Sequence, residues 1–191
     1  MPRGVAIDGA RQRLFAAAEA VVLRSGVDGL SGRAVTAQAG VATGLLHAHF
    51  GDFDAFLAAY AVDRSFLLAA DAAETGNDAW ALPDVLCAQL DALTQPAATA
   101  FARLLAARPA LRDRAAEVLG DGAAGFDGVT AAVAATLESA VDGGRLSPAV
   151  DPAALAYAIV GAALRAWCAG DPDACWHAAV RASVIASVRA D

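Results

Sequence analysis

The stretch from Arg33 to Leu57, RAVTAQAGVATGLLHAHFGDFDAFL, decides the fold. Its spacing predicts a short helix, a tight turn at Ala39-Gly40-Val41, a second short helix over Thr43 to His49, and the start of a longer third helix. Ser31 is placed to cap the first of these, because its hydroxyl accepts from an amide that the helix start leaves unpaired. Gly40 suits the left-handed conformation that ends a helix abruptly. Val35, Ala39, Val41, Leu45, Leu46 and Phe50 supply the apolar contacts that close the pieces on one another. Helix, glycine turn and second helix form a helix-turn-helix unit, whose second helix enters the DNA major groove in proteins that use it.

The order Arg33, Val35, Ala39-Gly40-Val41, Gly44, Leu46, His49-Phe50, then Asp52, Asp54 and Phe56-Leu57, resembles the DNA-binding domain of the TetR family of transcriptional regulators. There the region usually reads I-A-x-x-A-G-V-S-x-G-T-L-Y-x-H-F-x-S-K-E-x-L. The resemblance covers the first third of the chain; beyond Ala70 the chain is similar only in being helical and of suitable length. It implies an all-α protein of about nine helices, with a helix-turn-helix DNA-binding domain over residues 1–51 and a helical effector-binding and dimerisation domain over 52–191. It further implies a homodimeric repressor on double-stranded operator DNA, released by a small-molecule effector.

Composition agrees with that class. Of the 191 residues 58% are hydrophobic and only 6% aromatic, and alanine makes up the difference. Alanine is the best helix former and loses no side-chain entropy on folding. The net charge of −7 argues at first against a polyanionic partner, but its distribution reverses that. Residues 1–51 hold five arginines against three acids, and the remainder nine against 18. A basic N-terminal module on an acidic body suits a DNA-binding head with a regulatory domain. No lysine occurs, so arginine must neutralise any phosphate. Cys87, Cys168 and Cys175 show no metal or redox spacing and read as buried thiols. With no signal-peptide pattern, and with the longest apolar run, Ala153 to Leu164, too short to span a bilayer, a cytoplasmic protein without membrane contact is expected. No cofactor, metal or catalytic motif is found.

Along the chain, Met1 to Gly9 reads as a disordered arm and Arg11 to Ser25 as the first helix. Asp52 should cap a long helix reaching Glu74, the mechanical link between the two domains in the family. Helices follow over Pro83 to Leu93, Ala97 to Ala107 and from Arg108-Pro109. Gly120, Gly122, Gly125 and Gly128 then predict a break, whereas the resemblance implies one long helix reaching Val141; helix on both sides of a turn is expected. Asp151-Pro152 and Asp171-Pro172 open the last two helices, aspartate capping and proline taking the first helical position.

The resemblance assigns Arg33, Thr43, Gly44, Leu45, His47 and His49 to the DNA interface, where arginine can bond guanine bidentately and threonine can meet a base edge. Four departures bear on this. Leu45 stands where the family has a phosphate-binding threonine, His47 replaces tyrosine, Phe53 replaces lysine, and Ala42 replaces the serine cap of the recognition helix. Phosphate contacts supply most non-specific affinity, so weaker or altered operator binding is expected. A second reading keeps the fold as a ligand-binding protein whose head no longer binds DNA. His47 and His49 lie two apart and point to different sides, which excludes a metal pair. Trp80, Phe101, Phe126, Tyr157 and Trp167 are candidate walls of a pocket for an apolar or aromatic effector, with plain core as the alternative for each. Ala158, Ala162, Trp176, Val180 and Val184 are the candidate dimer interface, again with intrachain core as the alternative.

Overall fold

The computed structural model describes residues 3–74, 80–93, 95–169 and 176–187, the side chains of 3–8 and 95 excepted. Among these residues there are ten α-helices and no strand: α1 (Arg3–Ser25), α2 (Gly32–Ala39), α3 (Gly44–Phe50), α4 (Phe53–Glu74), α5 (Leu82–Asp91), α6 (Gln95–Ala107), α7 (Ala110–Leu119), α8 (Asp127–Asp142), α9 (Pro152–Ala169) and α10 (Trp176–Ile185). One continuous apolar core joins them.

The tenth helix arises at the glycine-rich stretch. Gly120 and Gly125 take φ of 86° and 63°, values an L side chain resists, so α7 and α8 are separate helices joined by a turn. At the other end, α1 runs back to Arg3, and the arm expected over Met1 to Gly9 is helical over its described part. Extending a nucleated helix adds one hydrogen bond per residue ordered, and Gly4 and Gly9 do not outweigh that. The Asp171-Pro172 start and Cys175 lie outside the described residues.

Helix α4 organises the rest. Its start is capped as expected, the Ala55 N–H donating to Asp52 Oδ1 at 2.7 Å. Its first half closes on α1 and α3 through packed rings: Phe15 lies 5.6 Å from Phe56 and 5.5 Å from Tyr60, and Phe50 lies 5.1 Å from Phe56. Helix α4 also packs on α7 and α8, α8 packs on α9, and α10 bridges α9 and α5. Helix α9 corrects one expectation: at 18 residues and mean hydropathy 1.4 it is long and apolar enough to cross a membrane. Only 33% of it is buried; one side packs on α6 and α8 and the other faces outward.

Candidate nucleic-acid interface and effector region

The two helices of the helix-turn-helix are held by different means. Ser31 caps α2, its Oγ accepting from the Ala34 N–H at 3.2 Å. Gly40 ends α2 at φ 63°, ψ 39°. The Arg24 guanidinium ties α1 to α2 by donating to Gln38 Oε1 at 2.5 Å. Helix α3 has no side-chain cap, Thr43 making no such bond, as the loss of the family's serine at Ala42 implies. Leu46 is its one buried residue.

Arg33, Thr43, Gly44 and His47 are all exposed, and a Cβ built on Gly44 would meet only open space. Leu45 and His49 are half-buried. His47 Nδ1 lies 2.9 Å from the Gly51 carbonyl. A carbonyl only accepts, so the proton sits on Nδ1, and Nε2 of the neutral ring is an acceptor. Phe53, at the family's lysine position, stacks on Phe56 at 5.8 Å; the position serves the core.

Of the expected pocket residues the fold brings three together. Phe101, Phe126 and Trp167, from α6, the turn before α8, and α9, form a buried chain of rings 5.4 and 5.8 Å apart that continues from Tyr60. The Trp167 indole Nε1 is buried without a hydrogen-bond partner among the described residues. Trp80 and Tyr157 are 50% and 78% exposed and stand apart from this ring chain. Trp176, Val180 and Val184 are corrected, being buried against their own chain and so unavailable to a partner. The alternation that looked like an interface stripe is the inner face of α10. Ala158 is exposed and Ala162 half-buried, on the outward side of α9 with Tyr157 and Gly161. Cys87 is buried, and burial pushes its thiol up; Cys168 is exposed, contrary to expectation.

A buried charged cluster went unread. Arg64 of α4 donates from Nε to Glu19 of α1 at 2.5 Å and from Nη1 to Asp63 at 2.7 Å, both side chains of the first pair being about nine-tenths buried. Burial opposes the Arg64 charge, but the Glu19 carboxylate more than restores it, and the guanidinium is held above its ordinary value. The signal was in the sequence: Glu19 interrupts the apolar stripe Ala17, Ala18, Val21, Val22, and a charge at such a position demands a partner.

No protein-family model and no curated protein sequence matches the chain. Solved structures do. A bacterial regulatory protein in the TetR family from Rhodococcus RHA1 is similar at TM-score 0.67 and 21% identity, over 95% of this chain and 98% of that one. A TetR-family transcriptional regulator from Haemophilus influenzae is similar at TM-score 0.57 and 14% identity, over 98% and 100%. The multidrug binding protein EbrR, complexed with imidazole, is similar at TM-score 0.56 and 26% identity, over 95% and 96%. Matched over nearly its whole length by each of them, the chain has the fold of the TetR family of transcriptional regulators.

Proposed function

We propose that this chain is a transcriptional repressor of the TetR type, a homodimer that binds operator DNA through residues 1–51 and an effector through residues 52–191. The observation that carries the reading is the helix-turn-helix with Arg33, Thr43, Gly44 and His47 exposed, and α3 anchored to the core by Leu46 and Phe50. An exposed glycine at the start of a recognition helix lets the helix approach base edges closely. The outward face of α9, with Tyr157, Ala158 and Gly161, and the exposed Ala178, Ala182 and Ile185 of α10 are the surface for the second copy. The effector is an apolar or aromatic molecule bearing one hydrogen-bond acceptor for the Trp167 N–H. A buried donor left unpaired costs about 1–3 kcal/mol, and that unmet demand favours an acceptor there. Binding changes the separation of the two recognition helices by its differential affinity for the two arrangements. The protein acts in the cytoplasm, with no membrane partner.

The second reading, a ligand-binding protein without DNA binding, is favoured by the hydrocarbon at Leu45 and Phe53. One experiment separates the two: binding of the purified chain to the duplex upstream of its coding region, titrated with salt. The repressor reading expects competitor-resistant binding with a shallow salt slope, and Leu45→Thr should steepen that slope by about one phosphate contact. No binding to that duplex or to any member of a random-duplex selection would leave the second reading standing.

A further inference from the structure

Between α1, α4 and α7 lies an open groove of ≈ 530 Å³. Its floor is the outer face of α4, Ala55, Ala58, Ala59 and Val62, four short apolar side chains at helical spacing. Arg11 of α1 and Arg114 of α7 stand at its sides. The volume falls within the roughly 300–1,000 Å³ of small-molecule sites.

Two guanidinium groups flank the apolar floor, with Glu117 the one carboxylate of the lining. Arg64, Arg112 and Arg181 are each paired with a carboxylate. Arg11 and Arg114 make no ion pair with any described residue. Arg11 is held instead by rings, its Cζ 5.3 Å from the Phe15 centroid and 5.8 Å from that of Phe50, which fixes the group without neutralising it. A second hollow of ≈ 320 Å³ shares Arg114 and adds Arg108. The two hollows together hold three arginines against Glu117 and Asp54, a local positive excess on an acidic protein. Val118, 68% exposed, extends the apolar lining on the α7 side.

We propose that this groove binds an amphipathic carboxylate, its anion between Arg11 and Arg114 and its hydrocarbon along the alanine face of α4. The site is separate from the interior ring cluster. A ligand in it touches α1, α4 and α7 at once, so it favours whichever arrangement of those helices closes the groove.

The test uses the full chain without DNA, so that it stands or falls independently of operator binding. Sodium octanoate is titrated by calorimetry, with octan-1-ol and inorganic phosphate as comparison probes. Octanoate should bind saturably, octan-1-ol about tenfold more weakly, and phosphate should not displace octanoate. Arg114→Gln should weaken octanoate about tenfold, the usual worth of a hydrogen bond to a charged group. Arg114 is exposed and unpaired, so this variant should keep the wild-type thermal midpoint. Ala58→Leu, which fills the floor, should also weaken octanoate, and Trp167→Phe should leave it unchanged. The proposal is overturned by absence of saturable binding, by octan-1-ol binding as tightly as octanoate, by displacement with phosphate, or by an unaffected Arg114→Gln. Loss of binding in Trp167→Phe would overturn it too, by moving the ligand to the interior.

Discussion

Helix α4 meets α1 and α8 by opposite means. Against α1 the seam is charged and aromatic: Glu19 takes the Arg64 guanidinium, which also lies over the Phe15 and Tyr60 rings at 5.7 and 5.4 Å. Against α8 and its preceding turn the seam is small. The Gly125 N–H donates to Ser65 Oγ at 2.8 Å, and Gly128 packs so closely that an added Cβ would stand 2.7 Å from the Ala69 Cβ. A buried ion pair has one geometry in which it is satisfied, and facing small residues let two helices approach closely. Helix α4 is thus keyed to α1 by charge and rings, and held to α8 and its preceding turn by close approach and one hydrogen bond.

Breaking the keyed seam should cost most. Arg64→Ala leaves the Glu19 carboxylate buried and unpaired, and urea unfolding should report a loss of about 3–5 kcal/mol. A Glu19→Gln/Arg64→Met double variant should recover most of it; failure to recover would mean that packing, and not charge, is what Arg64 supplies. On the small side, Gly128→Ala pushes a methyl into Ala69, and overpacking of this kind costs about 1–3 kcal/mol. Ala69→Gly should relieve it, and an unrelieved double variant would deny the close approach. Ser65→Ala strips the acceptor from the Gly125 N–H and should cost about 1.5 kcal/mol, measured in the same unfolding experiment.

The smallest effect sharpens the picture of the keyed seam through pH. Burial, with the Glu19 carboxylate adding to it, holds the Tyr60 phenol well above its ordinary 10.0. Above that ordinary value the unfolded chain loses its phenolic proton while the folded chain keeps it. Stability is thus whole at lower pH and falls as pH rises, by at most about 1.4 kcal/mol per unit for one group. Tyr60→Phe should flatten this alkaline limb relative to wild type, and parallel limbs would place the phenol in contact with water.

The helix-turn-helix was legible because its signals are local. Ser31, Gly40 and Asp52 each act within four residues, and all three make the caps or turns their positions imply. Interface and pocket residues were less legible, since periodicity marks an apolar face without saying what covers it. Trp176, Val180 and Val184 have the spacing of an interface, yet their own chain covers them. Tyr157 and Trp80 looked like core by their ring alone, yet they stand in solvent.

By itself the sequence determined the all-helical class, the turn at Gly40, the break at Gly120 to Gly125, and the basic head on an acidic body. These follow from propensity, capping and charge, which act at short range or by composition. Only the tertiary structure decided that Glu19 meets Arg64 across 45 residues, that Phe101, Phe126 and Trp167 join, and that Arg11 and Arg114 share an alanine-floored groove. Each depends on which helix faces crossed, and helix crossing is set by the packing of the whole core.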